Sequence, residues 1–233
     1  MAFSDCATSN ILDIQDQPML TDTVQERIFL LSPANISGIR AAQVMGAGAV
    51  SDLAARLRDG SAPLGEVFSF MSGLYFRGKL AYARAFSKAP VGVSGSLVIT
   101  ACGGLVAAET LLTLERLRQV STGPLDIKNS QYRQPLERDA QNLFKLIGPD
   151  CQIILLGSIA TDKYTKPLLE IFGDKLLFPA EFIGRGDMSR GGLMLRCASA
   201  GAPLTYIPVA NATLRGSRPA KLPRLRAGLL PIT

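Results

Sequence analysis

Gln152-Ile153-Ile154-Leu155-Leu156, followed by Gly157-Ser158-Ile159-Ala160-Thr161, is the stretch that decides the fold. A short apolar run bounded by glycine reads as a strand buried on both faces, the kind found inside parallel sheets. The small polar loop then leads into a helical pattern from about Asp162 to Phe172. Strand, tight loop and helix in succession make half of a β-α-β unit. The same signal recurs in both directions along the chain. Arg27–Leu31 (RIFLL) is stopped by Ser32-Pro33, Leu97–Ala101 (LVITA) runs into Cys102-Gly103-Gly104, and weaker strand patterns cover Lys175–Phe178 and Leu204–Val209. Helical spacing fills the gaps: Ile39–Leu57 with weak points at Gly46 and Gly48, and Pro63–Phe86 divided at Gly73 and Gly78. Three more helical stretches cover Glu109–Gln119, an amphipathic Gln134–Leu146, and Arg190–Ala200. The expected fold is α/β, a mostly parallel sheet with helices on both faces and a single domain, with Arg27–Leu31, Leu97–Ala101 and Gln152–Leu156 at its centre. The aromatics Phe68, Phe70, Tyr75, Phe76, Tyr82 and Phe86 are expected in the core.

Composition limits the chemistry. The 233 residues are 47% apolar and 19% charged, which suits one globular domain with a large core. Histidine is absent, which excludes Ser-His-Asp and Cys-His catalysis and His-ligated zinc. Cys6, Cys102, Cys151 and Cys197 form no C-x-x-C pair, so neither a zinc knuckle nor a dithiol motif is present. No metal and no cofactor is expected. The net charge of +6 is uneven, with −5 in an acidic N-terminal extension 1–26, +6 over an α/β domain 27–210, and +5 in a Pro-containing C-terminal tail 211–233. The longest uncharged run, Ala89–Ala108, holds Pro90 and four glycines and suits a strand and turn better than a membrane span. With no basic n-region at the start, the expectation is a cytoplasmic protein that does not engage membranes.

Polar chemistry collects where strands hand over to helices. Open parallel sheets bind ligands beyond the carboxyl ends of their strands, facing helix N-termini. LLSPANISGIR offers Ser32, Asn35, Ser37 and Arg40, and LLGSIATDKYTK offers Gly157, Ser158, Thr161 and Lys163. Neither is a phosphate-binding G-x-x-x-x-G-K-[ST] loop, and the competing reading of each is an ordinary helix cap with surface lysines. The densest string is FIGRGDMSRGGLMLR, where Ser189 can cap a helix that starts Arg190-Gly191-Gly192, those glycines and Gly186 allow a ligand close to the backbone, and Arg185 and Arg190 could fork a phosphate or carboxylate. Its competing reading is Asp187 paired with an arginine and glycines that serve packing. Without imidazole, Asp187 and Glu181 are the candidate acids or bases. The tail cations Arg215, Arg218, Lys221, Arg224 and Arg226 lie among prolines that favour an extended segment able to follow a phosphate backbone.

Two sets of strings carry a resemblance. FLLSPAN, followed about forty residues later by FMSGLY, resembles the strand-SPAK and LSGLYG signatures of YaaA-type peroxide-stress proteins, with Asn35 in place of a lysine and Phe76 in place of a glycine. LYFRGKLAYARAF, LVITACGGLVAAE and QYRQPL resemble, in order, motifs of a related uncharacterised bacterial α/β family, with Ala101-Cys102-Gly103 where that family has Ala-Lys-Tyr. Together they cover about a third of the chain. The resemblance implies an α/β fold and an association with DNA and oxidative stress.

The functional expectation is a nucleic-acid-associated protein of stress or defence type that binds phosphate groups at a crevice beyond the strand ends. The alternatives are an enzyme that processes a nucleotide or nucleoside without histidine, and a structural partner-binding domain. Nucleic acid or nucleotide is the expected partner. The three junctions are expected to converge on one edge of the sheet.

Overall fold

Residues 25–36, 38–213, 216–217 and 219–223 are described by a computed structural model. The elements run β1 (Arg27–Leu31), α1 (Ile39–Met45), α2 (Asp52–Arg58), β2 (Ala62–Pro63), α3 (Leu64–Ser72), α4 (Leu74–Phe86), β3 (Ser96–Ile99), β4 (Leu105–Ala107), β5 (Leu111–Leu112) and α5 (Leu114–Ser121). Then come α6 (Ser130–Leu146), β6 (Gln152–Leu156), α7 (Asp162–Phe172), β7 (Leu176–Pro179), α8 (Asp187–Ala200) and β8 (Tyr206–Pro208). Six strands form one sheet in the order β4-β3-β1-β6-β7-β8, and β2 and β5 make a separate antiparallel pair. The four inner strands are parallel and both edges are antiparallel.

The apolar runs explain the centre. Ile28–Leu31 of β1 and Ile153–Leu156 of β6 have no solvent exposure, because helices cover the sheet on both faces. Their in-register pairing, Arg27 with Gln152 through Leu31 with Leu156, places the two runs side by side. β3 lies on the other side of β1, so the three expected central strands are neighbours. One layer is built from α3, α4 and α8, and α6 with α7 form the other. Pro33 has no N–H and ends β1, and Gly73, at φ +63°, separates α3 from α4.

The expected boundaries shift in several places. The helix over Ile39–Leu57 is broken into α1 and α2 around Gly46, and Ser51 caps α2 by accepting from the Ala54 N–H at 3.2 Å. Gly78 does not divide its helix; it sits inside α4. Glu109 does not begin a helix, since Gly104, at φ +68°, turns the chain back into β4, and α5 starts only at Leu114 behind the Thr113 cap. α8 begins at Asp187 and not at Arg190, so Ser189 is not its cap.

That last shift changes what the glycines do. A Cβ on Gly78 would sit 2.5 Å from the Gly191 carbonyl oxygen, and one on Gly191 would sit 2.7 Å from that of Leu74. The pair therefore lets α4 and α8 cross backbone to backbone.

Beside the crossing, the buried Tyr82 hydroxyl accepts from the Leu204 N–H at 2.7 Å and pairs with the Tyr206 hydroxyl at 2.6 Å. Tyr82→Phe would leave the Leu204 N–H buried and unmet. An expected loss of about 1–3 kcal/mol follows. Urea unfolding of the variant against the parent checks it; equal midpoints would show that the hydroxyl contributes nothing.

Candidate functional site

The chain leaves β1 toward β3 on one side and leaves β6 toward β7 on the other. Loops from adjacent parallel strands thus diverge at β1 and β6, which opens a crevice at their carboxyl ends. A cleft of about 330 Å³ lies in this region, lined by Asn35 after β1, Thr100 after β3, and Lys163 and Tyr164 in the first turn of α7. Phe68 of α3 and Ser121 at the end of α5 add an apolar wall and a hydroxyl-bearing residue. The Tyr132 hydroxyl donates to the Lys163 carbonyl at 2.6 Å and so ties α6 to the rim.

Immediately beneath the first junction lies a fully buried lysine. Lys79 of α4 is 1% exposed, and its Nζ donates to the Ser32 carbonyl at 2.5 Å and to Ser32 Oγ at 2.9 Å. The faces of Tyr75 and Phe76 stand 4.5 and 4.8 Å from it. No carboxylate pairs with it among the described residues, although it feels the charge of Asp187. Burial pulls its ammonium down from the ordinary 10.5 to about 7, against the weaker pull of Asp187. Next to it, the Tyr75 hydroxyl is shut off from solvent, with the Arg190 guanidinium beside it but outside regular hydrogen-bond geometry. Burial, with Asp187 second, pushes that hydroxyl up to about 12.

The sequence-based site residues divide. Asn35 and Lys163 share the cleft. Ser32 lies under it, donating to the Leu156 carbonyl at 3.3 Å, and Gly157 is bare because a Cβ there would stand 3.1 Å from that of Ser32. Ser158 closes its own turn by accepting from the Ala160 N–H, and the Thr161 carbonyl accepts from the Thr165 hydroxyl. Arg40 is exposed at the start of α1 with its guanidinium against Gly73. Arg185, Gly186 and Ser189 line a different cavity, shared with Lys221. Arg190 lines neither cleft and donates twice to the Phe182 carbonyl, at 3.1 and 3.3 Å. Of the two candidate acids, Glu181 accepts from the Thr205 N–H at 3.0 Å, and Asp187 stands 3.9 Å from Arg190. Ser37, Arg215, Arg218, Arg224 and Arg226 lie outside the described residues, as does nearly all of 1–26.

Lys79, Thr100, Phe68 and Tyr75 were not among the expected site residues. For Lys79 a signal exists, since Tyr75, Lys79, Tyr82 and Phe86 are spaced as one helical stripe and a lysine on an aromatic stripe is a buried cation. Among the described residues, no group of three Cys, Asp or Glu side chains could hold a metal ion, and no helix is long and apolar enough to cross a membrane. No protein-family model, no curated protein and no solved structure matches the chain.

Proposed function

We propose that the protein binds a nucleotide or nucleoside phosphate in the cleft beyond β1, β3 and β6, and acts on it without imidazole chemistry. The observation that carries this reading is the cleft itself. It has the roughly 300 Å³ or more expected of a small-molecule pocket and lies beside the point where strand order reverses. Phe68 and Tyr164 supply apolar walls suited to a base, Asn35 supplies a polar edge, and Lys163 supplies a cation for a phosphoryl group. A setting of bacterial stress or defence type is what the motif resemblance implies.

Thermal unfolding in millimolar nucleoside monophosphates tests the reading, because a ligand that binds only the folded state raises Tm. Lys163→Ala is expected to remove most of the shift while leaving the unliganded Tm unchanged. No shift with any nucleoside monophosphate sinks the proposal. Nucleic acid is the second reading, favoured by the five cations of 211–233. It is distinguished by titration of labelled duplex DNA at two salt concentrations, where backbone contacts must weaken steeply as salt rises.

A further inference from the structure

The Gly-rich arginine string builds a cavity of its own. A partly open hollow of about 430 Å³ lies between the start of α8 and the segment 219–222, with Arg185, Arg196 and Lys221 on its walls. None of these three cations has an ion-pair partner among the described residues. The nearby Asp187 stands 3.9 Å from Arg190 instead. Three like charges around one hollow repel one another, and an anion in the hollow relieves that repulsion.

Both guanidiniums are held in place before any ligand arrives. Arg185 donates through Nε to the Glu181 carbonyl at 3.0 Å, and through Nη1 to Ser189 Oγ at 3.2 Å and the Ala220 carbonyl at 3.4 Å. Arg196 donates through Nη1 to the Gly192 carbonyl at 2.8 Å and through Nη2 to the Pro223 carbonyl. Nη2 of Arg185 and Nε of Arg196 remain without an acceptor among the described residues. Arginines fixed by backbone acceptors lose little side-chain freedom when they bind, which favours affinity.

The glycines of the string fit this arrangement. Gly184, at φ +73°, lets the Ser217 carbonyl occupy the space where a Cβ would stand, bringing 216–217 close to the start of α8. At Gly192 a Cβ would lie 3.1 Å from Arg196 Nη1, so its absence gives the guanidinium room to fold back. The remaining walls, Leu74, Met188 and Leu222, are apolar, and the hollow is far larger than a phosphate ion.

We propose that this cavity is a second binding site, which takes a phosphate ester with its phosphoryl group on Arg185, Arg196 and Lys221 and its organic part against Leu74, Met188 and Leu222. It shares no lining residue with the cleft beside β1, so the two sites stand or fall separately.

Calorimetric titration of the full chain with phenyl phosphate, with inorganic phosphate alongside, tests it. Saturable binding is expected, tighter for the ester. Arg185→Gln with Arg196→Gln should weaken it at least about tenfold, as loss of charge-assisted hydrogen bonds does. Because those arginines also bond to backbone, Lys221→Glu serves as the variant at an exposed side chain with no packing role. It reverses an exposed charge on the rim and should weaken the ester severalfold. Lys163→Ala should leave phenyl phosphate binding unchanged, whatever its effect on nucleotides. Absence of binding, equal affinity for the ester and inorganic phosphate, or an affinity indifferent to Lys221→Glu would each overturn the proposal.

Discussion

Gly78→Ala is expected to destabilise the protein by about 3 kcal/mol or more, the upper end of what overpacking a core costs. The added methyl would stand 2.5 Å from the Gly191 carbonyl oxygen, 2.9 Å from its Cα and 3.0 Å from its carbonyl carbon. All three are backbone atoms, so no rotamer change relieves the clash and the helices must part. Gly191→Ala meets the Leu74 carbonyl and the Tyr75 Cα at 2.7 and 2.8 Å and should cost a similar amount. Both substitutions raise intrinsic helix propensity by about 1 kcal/mol, which only partly offsets the clash. Gly186→Ala, at a cap position with nothing within 4 Å of the new methyl, is the control and should stay near the parent. Urea unfolding midpoints decide the matter. Gly78→Ala as stable as Gly186→Ala would mean that α4 and α8 do not cross as closely as described. The consequence extends to both sites, because α4 carries Lys79 and Leu74 while α8 carries Arg196.

The sheet's centre was legible because its strands are continuous apolar runs. RIFLL, LVITA and QIILL need no alternation to be recognised, although β3 opens one residue earlier, at Ser96, and ends at Ile99, short of Thr100 and Ala101. β4 and β5 were not legible, since three and two residues are too few for any period to show. The start of α8 was misplaced for a physical reason. Ser189 is a good capping residue, yet the chain begins the helix three residues after Gly184 behind an uncapped Gly186, and uses Ser189 to hold Arg185. At the site, Asn35 and Lys163 follow from the rule that loops beyond parallel strands face one edge. Phe68, Thr100 and Ser121 arrive from segments far apart in sequence, and only the tertiary fold brings them together. The Arg190-Gly191-Gly192 run looked like a ligand approach at a helix start. Its glycines instead receive another helix and an arginine side chain.

Lys79 should make stability rise with pH across a range where most proteins change little. A neutral amine has two N–H groups, matching the two acceptors on Ser32, whereas the ammonium has a third that meets only aromatic faces. Those faces favour the charged form, but burial outweighs them and holds the group near 7. Between about 7 and 10.5 the unfolded chain keeps a proton on Lys79 that the folded chain has released, so raising pH through this window favours folding. Each unit contributes up to about 1.4 kcal/mol, a few kcal/mol over the window. Above pH 9 to 10 the gain reverses, because burial raises Cys151 to about 11 and Tyr75 to about 12, and the unfolded chain then loses those protons first. Lys79→Met keeps the length and removes the titration. Cys151 and the tyrosines are common to both proteins, so the difference between their unfolding free energies isolates Lys79. At pH 6 the methionine variant should be the more stable of the two, since a hydrophobic isostere of a buried unpaired charge carries no desolvation cost. The parent should gain on it steadily from pH 7 to 9.5. A difference that stays constant over that range would mean that Lys79 keeps its proton in the folded protein and that an anion or water, not burial alone, sets its state.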